Sequence, residues 1–248
     1  MEGSVSPRTN KLLALLSEAE YRRIRPHLHF VEYEPGQRLV QEGAKTRYVQ
    51  FPVSGIIARM VYDRDGESNE FGICGNEGAI GLSGLSGSGA DTPLGTSLVI
   101  VKTAVYRCAP SVIEKLMDSP ELRAIVIRYF RYVLCEAMLV AFCNKHHSLH
   151  QQMCRLLLML TDRAFSTEVR TTHQMMGHLL GSRREGVTEA AGRLGKQNAL
   201  VRTRGMLRVT DRDAVLQQTC DCYFRLQSRY SALVLPEEPL PGTASAEQ

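Results

Sequence analysis

Residues 171–194 read TTHQMMGHLLGSRREGVTEAAGRL, two amphipathic stretches parted by a single glycine. Few folds accept such a segment. Thr172 is placed to cap a first helix bearing Met175, Met176, Leu179 and Leu180, and Gly181 follows as the residue that tolerates a left-handed turn. Ser182 is placed to cap a second helix, with Glu185 completing a capping box three residues on. Along that second helix Val187, Ala190, Ala191 and Leu194 share one side, while Arg184, Glu185, Thr188, Glu189 and Gly192 share the other. The pattern predicts a helix-turn-helix whose second helix, 182–194, is anchored on one face and presents hydrogen-bonding groups on the other.

Such a helix can read base edges in a major groove, because arginine reaches guanine O6 and N7 and a carboxylate accepts from cytosine N4. Ser182, Arg183, Arg184, Glu185, Thr188 and Glu189 are the candidate base-reading residues. The plain alternative is a surface helical hairpin in which Glu185 is only a cap. Two features favour DNA. Residues 148–212 hold eleven basic and five acidic side chains in a chain whose net charge is only +4, so the remainder is slightly acidic. Downstream, 199–202 and 206–209 are short β runs joined by Thr203-Arg204-Gly205, the hairpin of a winged module. Thr172, Arg193, Lys196, Arg202 and Arg204 are the candidate phosphate contacts, which position a module without reading sequence.

Upstream the texture differs. Leu12, Leu13, Leu15 and Leu16 mark short N-terminal helices. Between 31 and 107, β-rich runs at 38–40, 48–51, 56–62, 98–101 and 104–107 alternate with turn signals such as Pro35-Gly36, Ser54-Gly55 and Asp65-Gly66. They predict a small antiparallel barrel or sandwich. Ser119 then caps, and Pro120 opens, a long helix that is apolar nearly all round to Cys143, which requires burial on more than one side. Val126, Tyr129, Val133, Glu136, Val140 and Cys143 keep alternating three- and four-residue steps and are read as a dimer seam. Ser148 with Gln151 starts the next helix. The fold class is therefore α+β, with a sensor domain at 10–118, a dimerisation helix at 119–147, a winged helix-turn-helix at 148–235 and a disordered tail at 236–248.

Composition narrows the function. The seven cysteines, at 74, 108, 135, 143, 154, 220 and 222, contain no C-x-x-C pair, a spacing that suits neither zinc nor an iron–sulfur cluster. Cys220 and Cys222 stand too close for an easy disulfide. His146 and His150 are four residues apart but lie at a helix junction where polar residues are expected, so no metal site is assigned. Isolated histidines such as His27 and His29 are weak ground for a haem. The most apolar run, 133–143, is too short to span a membrane and carries Glu136. With no targeting stretch, the expectation is a soluble cytoplasmic protein. No Ser/His/Asp set, paired carboxylates or nucleotide loop emerges, so no enzyme is expected; the run 81–89 lacks the lysine of a P-loop.

These residues together resemble the Crp/Fnr family of bacterial transcription regulators over almost the whole length. The stretch Gly181-Ser182-Arg183-Arg184-Glu185-Gly186-Val187-Thr188-Glu189 resembles that family's recognition helix. Gly36, Gly43, residues 49–55 and Ile80-Gly81 resemble the turns and strands of its cyclic-nucleotide-binding-like (cupin-like) β-roll. The resemblance implies a homodimeric, DNA-binding regulator that contacts RNA polymerase, with Arg184 and Glu185 reading a G·C pair. Glu189 departs from the arginine that well-known members carry, which puts their half-site in doubt for this chain.

The β-roll of cyclic-nucleotide-binding relatives holds ribose with a glutamate after Ile-Gly and phosphate with an arginine. Here Leu82 follows Ile80-Gly81, Gly95 stands at the arginine position with Thr96 after it, and residues 65–106 contain no arginine. A buried phosphate would lack its cationic partner. Gly81, Leu82, Gly95 and Thr96 mark the candidate effector pocket, for a small molecule other than a cyclic nucleotide; no cofactor is identified. The competing function is a β-roll ligand-binding module whose C-terminal domain serves protein contacts.

Overall fold

A computed structural model describes residues 5–85, 93 and 95–234. The tail 236–248 and the far part of the 81–89 run lie outside the described residues.

The chain opens with α1 (Lys11–Ala14) and α2 (Glu18–Ile24), whose Leu12, Leu13, Tyr21 and Ile24 are buried. An antiparallel sheet follows from β1 (His29–Tyr33), β2 (Arg38–Val40), β3 (Val49–Tyr62), β4 (Ser68–Cys74) and β5 (Thr96–Cys108). Its order is β1-β5-β3-β4, with β2 also pairing β5. The runs 48–51 and 56–62 belong to one long strand, and so do 98–101 and 104–107. Ser54-Gly55 makes a bulge instead of a turn: the β3–β5 register shifts between Pro52 and Ser54, and again before Ile56. Gly55 takes φ +79°, and a side chain there would run into the Lys102 carbonyl and Thr103. The bulge bends the strand and lets the sheet curl.

After α3 (Pro110–Leu116) comes α4 (Pro120–His146), opened by Ser119, whose hydroxyl accepts from the Leu122 amide, with Pro120 in the first turn. Its orientation corrects the sequence reading. Val126, Tyr129, Glu136, Val140 and Cys143 are buried within the chain, and Val133 is half-buried beside the β-roll. The predicted seam is thus the intramolecular face. The outward stripe is Ile127, Phe130, Leu134, Met138 and Phe142, each between 40% and 65% exposed. Because the helix is apolar nearly all round, three-four spacing selects the deepest face, which here belongs to the β-roll.

Beyond α4 lie α5 (Leu149–Ala164), β6 (Glu168–Val169), α6 (His173–Leu180), α7 (Arg184–Lys196), β7 (Leu200–Thr203), β8 (Met206–Val209), α8 (Arg212–Gln218) and α9 (Asp221–Val234). Ser148 and Gln151 form a reciprocal capping box on α5. The strands make a small sheet in the order β6-β8-β7. A core of Leu156, Leu160, Met176, Leu179, Val187, Leu194, Leu207 and Val215 unites α5–α8 and continues into the β-roll at Ile56 and Ile73. No described helix is long and apolar enough to cross a membrane.

Where β-roll, α4 and α5 meet, the core contains charge. Arg59 of β3 donates to Glu136 at 2.7 Å, to the Ile73 carbonyl at 3.2 Å and to the Tyr129 hydroxyl at 3.1 Å. Arg163 of α5 donates to Glu77 at 2.9 Å, to Tyr132 at 2.6 Å and to the second oxygen of Glu136 at 3.4 Å. A separate buried pair joins Arg155 of α5 to Glu70 of β4 at 2.8 Å. Burial pushes the Glu136 carboxyl upward while the two guanidiniums pull it down. Removing one partner of such a network strands the others without water. Glu136→Gln, nearly isosteric, is expected to lower stability by about 3–5 kcal/mol in equilibrium urea denaturation; a loss within experimental error would show that the carboxylate charge is dispensable.

Candidate nucleic-acid interface

Thr172 caps α6 through a 3.1 Å bond from the Met175 amide to its hydroxyl, and Gly181 ends that helix in the left-handed region at φ +57°. The second helix starts differently from the sequence reading. Its cap is Arg183, which makes no side-chain capping bond, while the Ser182 hydroxyl donates to the Arg183 carbonyl at 3.4 Å. Ser182 and Glu185 therefore form no capping box. The one-residue shift of the cap leaves the Glu185 carboxylate exposed and unengaged by the helix end.

Burial along α7 divides its faces. Val187, Ala190, Ala191 and Leu194 are buried; Arg184, Glu185, Thr188, Glu189, Gly192 and Arg193 are exposed. Arg183, at the cap, is exposed and Ser182 half-buried. Two of the outward groups already have partners. Glu189 pairs with Arg193 at 2.8 Å, and the Thr188 hydroxyl donates to the Arg184 carbonyl at 2.9 Å. That hydroxyl also sits 2.9 Å from Nδ1 of His173. Burial first, then Arg202 and Arg184, holds the His173 imidazole below its ordinary range, so at neutral pH it is uncharged. A neutral ring with Nδ1–H donating to Thr188 fits this geometry.

Beside α7 the chain forms an open groove of about 560 Å³, lined by Thr171, Thr172, His173, Gln174, Arg184 and, from the wing, Arg202–Gly205 and Leu207. Arg202 and Arg204 project from the β7–β8 hairpin, whose register leaves Arg204-Gly205 as a two-residue turn. The groove thus gathers three guanidiniums and the amide-rich start of α6, the chemistry that holds a phosphate. Arg193 and Lys196 lie further along α7, exposed, outside this groove. His173 and Gln174 were not singled out from the sequence; His173 acts on Thr188, fifteen residues away on another helix, a relation no local pattern carries.

The β-roll reaches this module through the β3–β4 hairpin. The Ser68 hydroxyl donates to the His178 carbonyl at 3.1 Å, and Asn69 lies against Gly181. The same hairpin carries Arg59 and Phe71 into a cavity of about 210 Å³, lined also by Val40, Leu82, Phe130 and Val133. Gly81, Leu82 and Gly95 border it, but Thr96 does not: it is buried, accepting a bond from the Glu42 amide at 3.4 Å. A side chain at Gly95 would meet the Met60 carbonyl at 2.8 Å, so no arginine fits there. Arg59, which precedes the arginine-free stretch 65–106, brings a cation to the described wall, yet Glu136 neutralises it. The cavity is smaller than the roughly 300–1,000 Å³ typical of drug-sized ligands.

Comparison with known proteins places this geometry. Residues 151–217 match the Crp-like helix-turn-helix domain. No curated protein matches by sequence. Among solved structures the chain is similar to a protein from Eubacterium rectale assigned to the Crp/Fnr family of transcriptional regulators, at 16% identity over 85% of this chain and 98% of that one, TM-score 0.67. It is similar to FixK2 of Bradyrhizobium japonicum at 17% identity, covering 78% and 98%, TM-score 0.67. A third is CLP, the c-di-GMP-responsive global regulator of Xanthomonas campestris, at 15% identity, covering 79% and 100%, TM-score 0.65. At these identities the likeness is one of fold.

Calorimetry with cAMP and cGMP at micromolar concentrations is expected to give no stoichiometric heat. A one-to-one isotherm with either would overturn this account of the cavity.

Proposed function

We propose that this chain, which joins the architecture of Crp/Fnr transcription regulators to a Crp-like helix-turn-helix domain, binds operator DNA as a homodimer and answers to a small effector held in the β-roll. The observation that carries the reading is the division of α7: four apolar residues anchor it, and Arg184 and Glu185 stand exposed on its first turn beside the Arg202–Arg204 groove. In a recognition helix the first turn meets the base edges, and flanking cations hold the backbone. Glu185, released from capping, has its carboxylate available to a cytosine amine. Glu189 and Arg193 must part if either is to contact DNA.

The second copy belongs on the outward stripe of α4, Ile127 to Phe142, where apolar side chains recur every three or four residues. Phe130 lies both on this stripe and in the wall of the β-roll cavity. An effector there would touch the dimer helix directly and would touch the DNA module through the β3–β4 hairpin. The small, largely apolar cavity favours a compact apolar molecule bearing a hydrogen-bond acceptor for Arg59, whose Nε is buried without a partner among the described residues.

The labour of the DNA face separates by substitution. Arg184→Ala and Glu185→Gln are each expected to lose about 1–3 kcal/mol on the specific site and much less on random duplex. Arg204→Ala should weaken both nearly alike and flatten the salt dependence by about one unit of slope. Fluorescence anisotropy across a salt series measures both quantities. Unchanged sequence preference in both α7 variants would remove this helix from base reading.

A further inference from the structure

At the junction of α4 with α9, four soft donors converge. Cys143 sits in the last turn of α4 and His147 caps that helix one turn later, its amide bonded to the Cys143 carbonyl at 3.0 Å. Helical spacing therefore sets the thiol and the imidazole on one side of the helix end. Cys220 arrives from the bend between α8 and α9, and Cys222 from the first turn of α9. The donor atoms of all four residues lie within 4.8 Å of one another. The Cys143 and Cys220 sulfurs are 3.5 Å apart, and the Cys222 sulfur is 3.7 Å from Nδ1 of His147.

These two separations are those of a tetrahedral site, and the remaining donor pairs, within 4.8 Å, are close enough to draw in around an ion. Bonds of about 2.3 Å to sulfur and about 2.0–2.1 Å to nitrogen, at tetrahedral angles, put neighbouring donors about 3.5–3.8 Å apart. The three sulfurs are 0–3% exposed and form their own small cluster, so bulk water does not compete for the position between them. Three thiolates around a dication leave one negative charge. The Arg155 guanidinium, although paired with Glu70, stands close enough to act electrostatically on Cys143 and lessens the cost of that charge. Three thiolates and one imidazole in tetrahedral array select zinc over harder divalent ions.

We propose that Cys143, His147, Cys220 and Cys222 bind one Zn²⁺, which fastens the end of the central helix to the start of α9. Such a tie would fix the recognition module on α4, since α9 lies along α4 with Leu233 and Tyr230 in the same core as Tyr132. The chain hides the site because its donors form two pairs 77 residues apart, Cys143 with Cys220, and neither Cys-x-x-x-His nor Cys-x-Cys alone is a metal signature. The i,i+4 pair His146 and His150 is not part of it: His146 stacks on Phe142 and His150 faces Gln218 at 2.9 Å.

The test uses the untagged full-length protein, purified under reducing conditions without chelator. Elemental analysis is expected to find about one zinc per chain. Replacement by Co²⁺ should give the visible bands of a tetrahedral thiolate-bound cobalt. Cys220→Ser with Cys222→Ser should abolish both signals, whereas His147→Cys should keep them as a four-sulfur site; circular dichroism checks that each variant is folded. A metal-free protein that gives no cobalt spectrum, zinc that persists in the folded double-serine variant, or a Cys143–Cys220 disulfide in the native protein would each overturn the assignment. Should the double-serine variant fail to fold, the cobalt titration of the native chain decides.

Discussion

The buried carboxylate of Glu136 holds the molecule together in a way that no apolar contact could. It lies on α4, yet one oxygen takes Arg59 from the β-roll and the other faces Arg163 from α5, while Arg163 also reaches Glu77. Two cations and two anions balance out of water, so each segment must occupy its place for the others to be tolerated. A core of leucines can repack by small slips. This network cannot, because moving α4 or α5 by an ångström or two leaves a buried ion unpaired.

Under the proposed function that rigidity would carry the signal. Arg59 and Tyr129 belong both to the network and to the wall of the β-roll cavity, and Arg163 stands in the last turn of α5, where the chain leads on into the helix-turn-helix. Glu70 and Ser68, close neighbours on β4, hold Arg155 of α5 and the α6 carboxyl end respectively. Under the proposed function, a ligand that changed the set of Arg59 would therefore press on α4 and on the helix-turn-helix together. Packed ionic joints of this kind favour discrete alternatives over gradual deformation.

The sequence made some of this plain and hid the rest for definable reasons. The helix-turn-helix was legible because Thr172, Gly181 and the four apolar residues of α7 act locally, within a turn or two of one another. The start of α7 was misjudged because Ser182 and Glu185 satisfy a capping pattern that Arg183 pre-empts. Ser54-Gly55 read as a turn, since composition cannot separate a bulge from a hairpin until the partner strand is known. The seam on α4 was rotated by about one residue, as periodicity reports the buried face without saying what buries it. Glu136 looked like a seam residue, and only the fold brings Arg59 and Arg163 to it from 77 and 27 residues away. The cysteine cluster escaped for the same reason.

Selection of duplexes from a random pool by the full-length protein tests the central claim most directly, because it asks at once whether the chain reads sequence and whether it does so as a pair. The account predicts enrichment of an inverted repeat with half-site centres about 34–36 Å apart, one turn of DNA. It further predicts that a Leu134→Asp, Met138→Asp variant, with the outward stripe of α4 spoiled, enriches single half-sites at best. Recovery of no sequence above the starting pool, or of the same inverted repeat by the stripe variant, would contradict it.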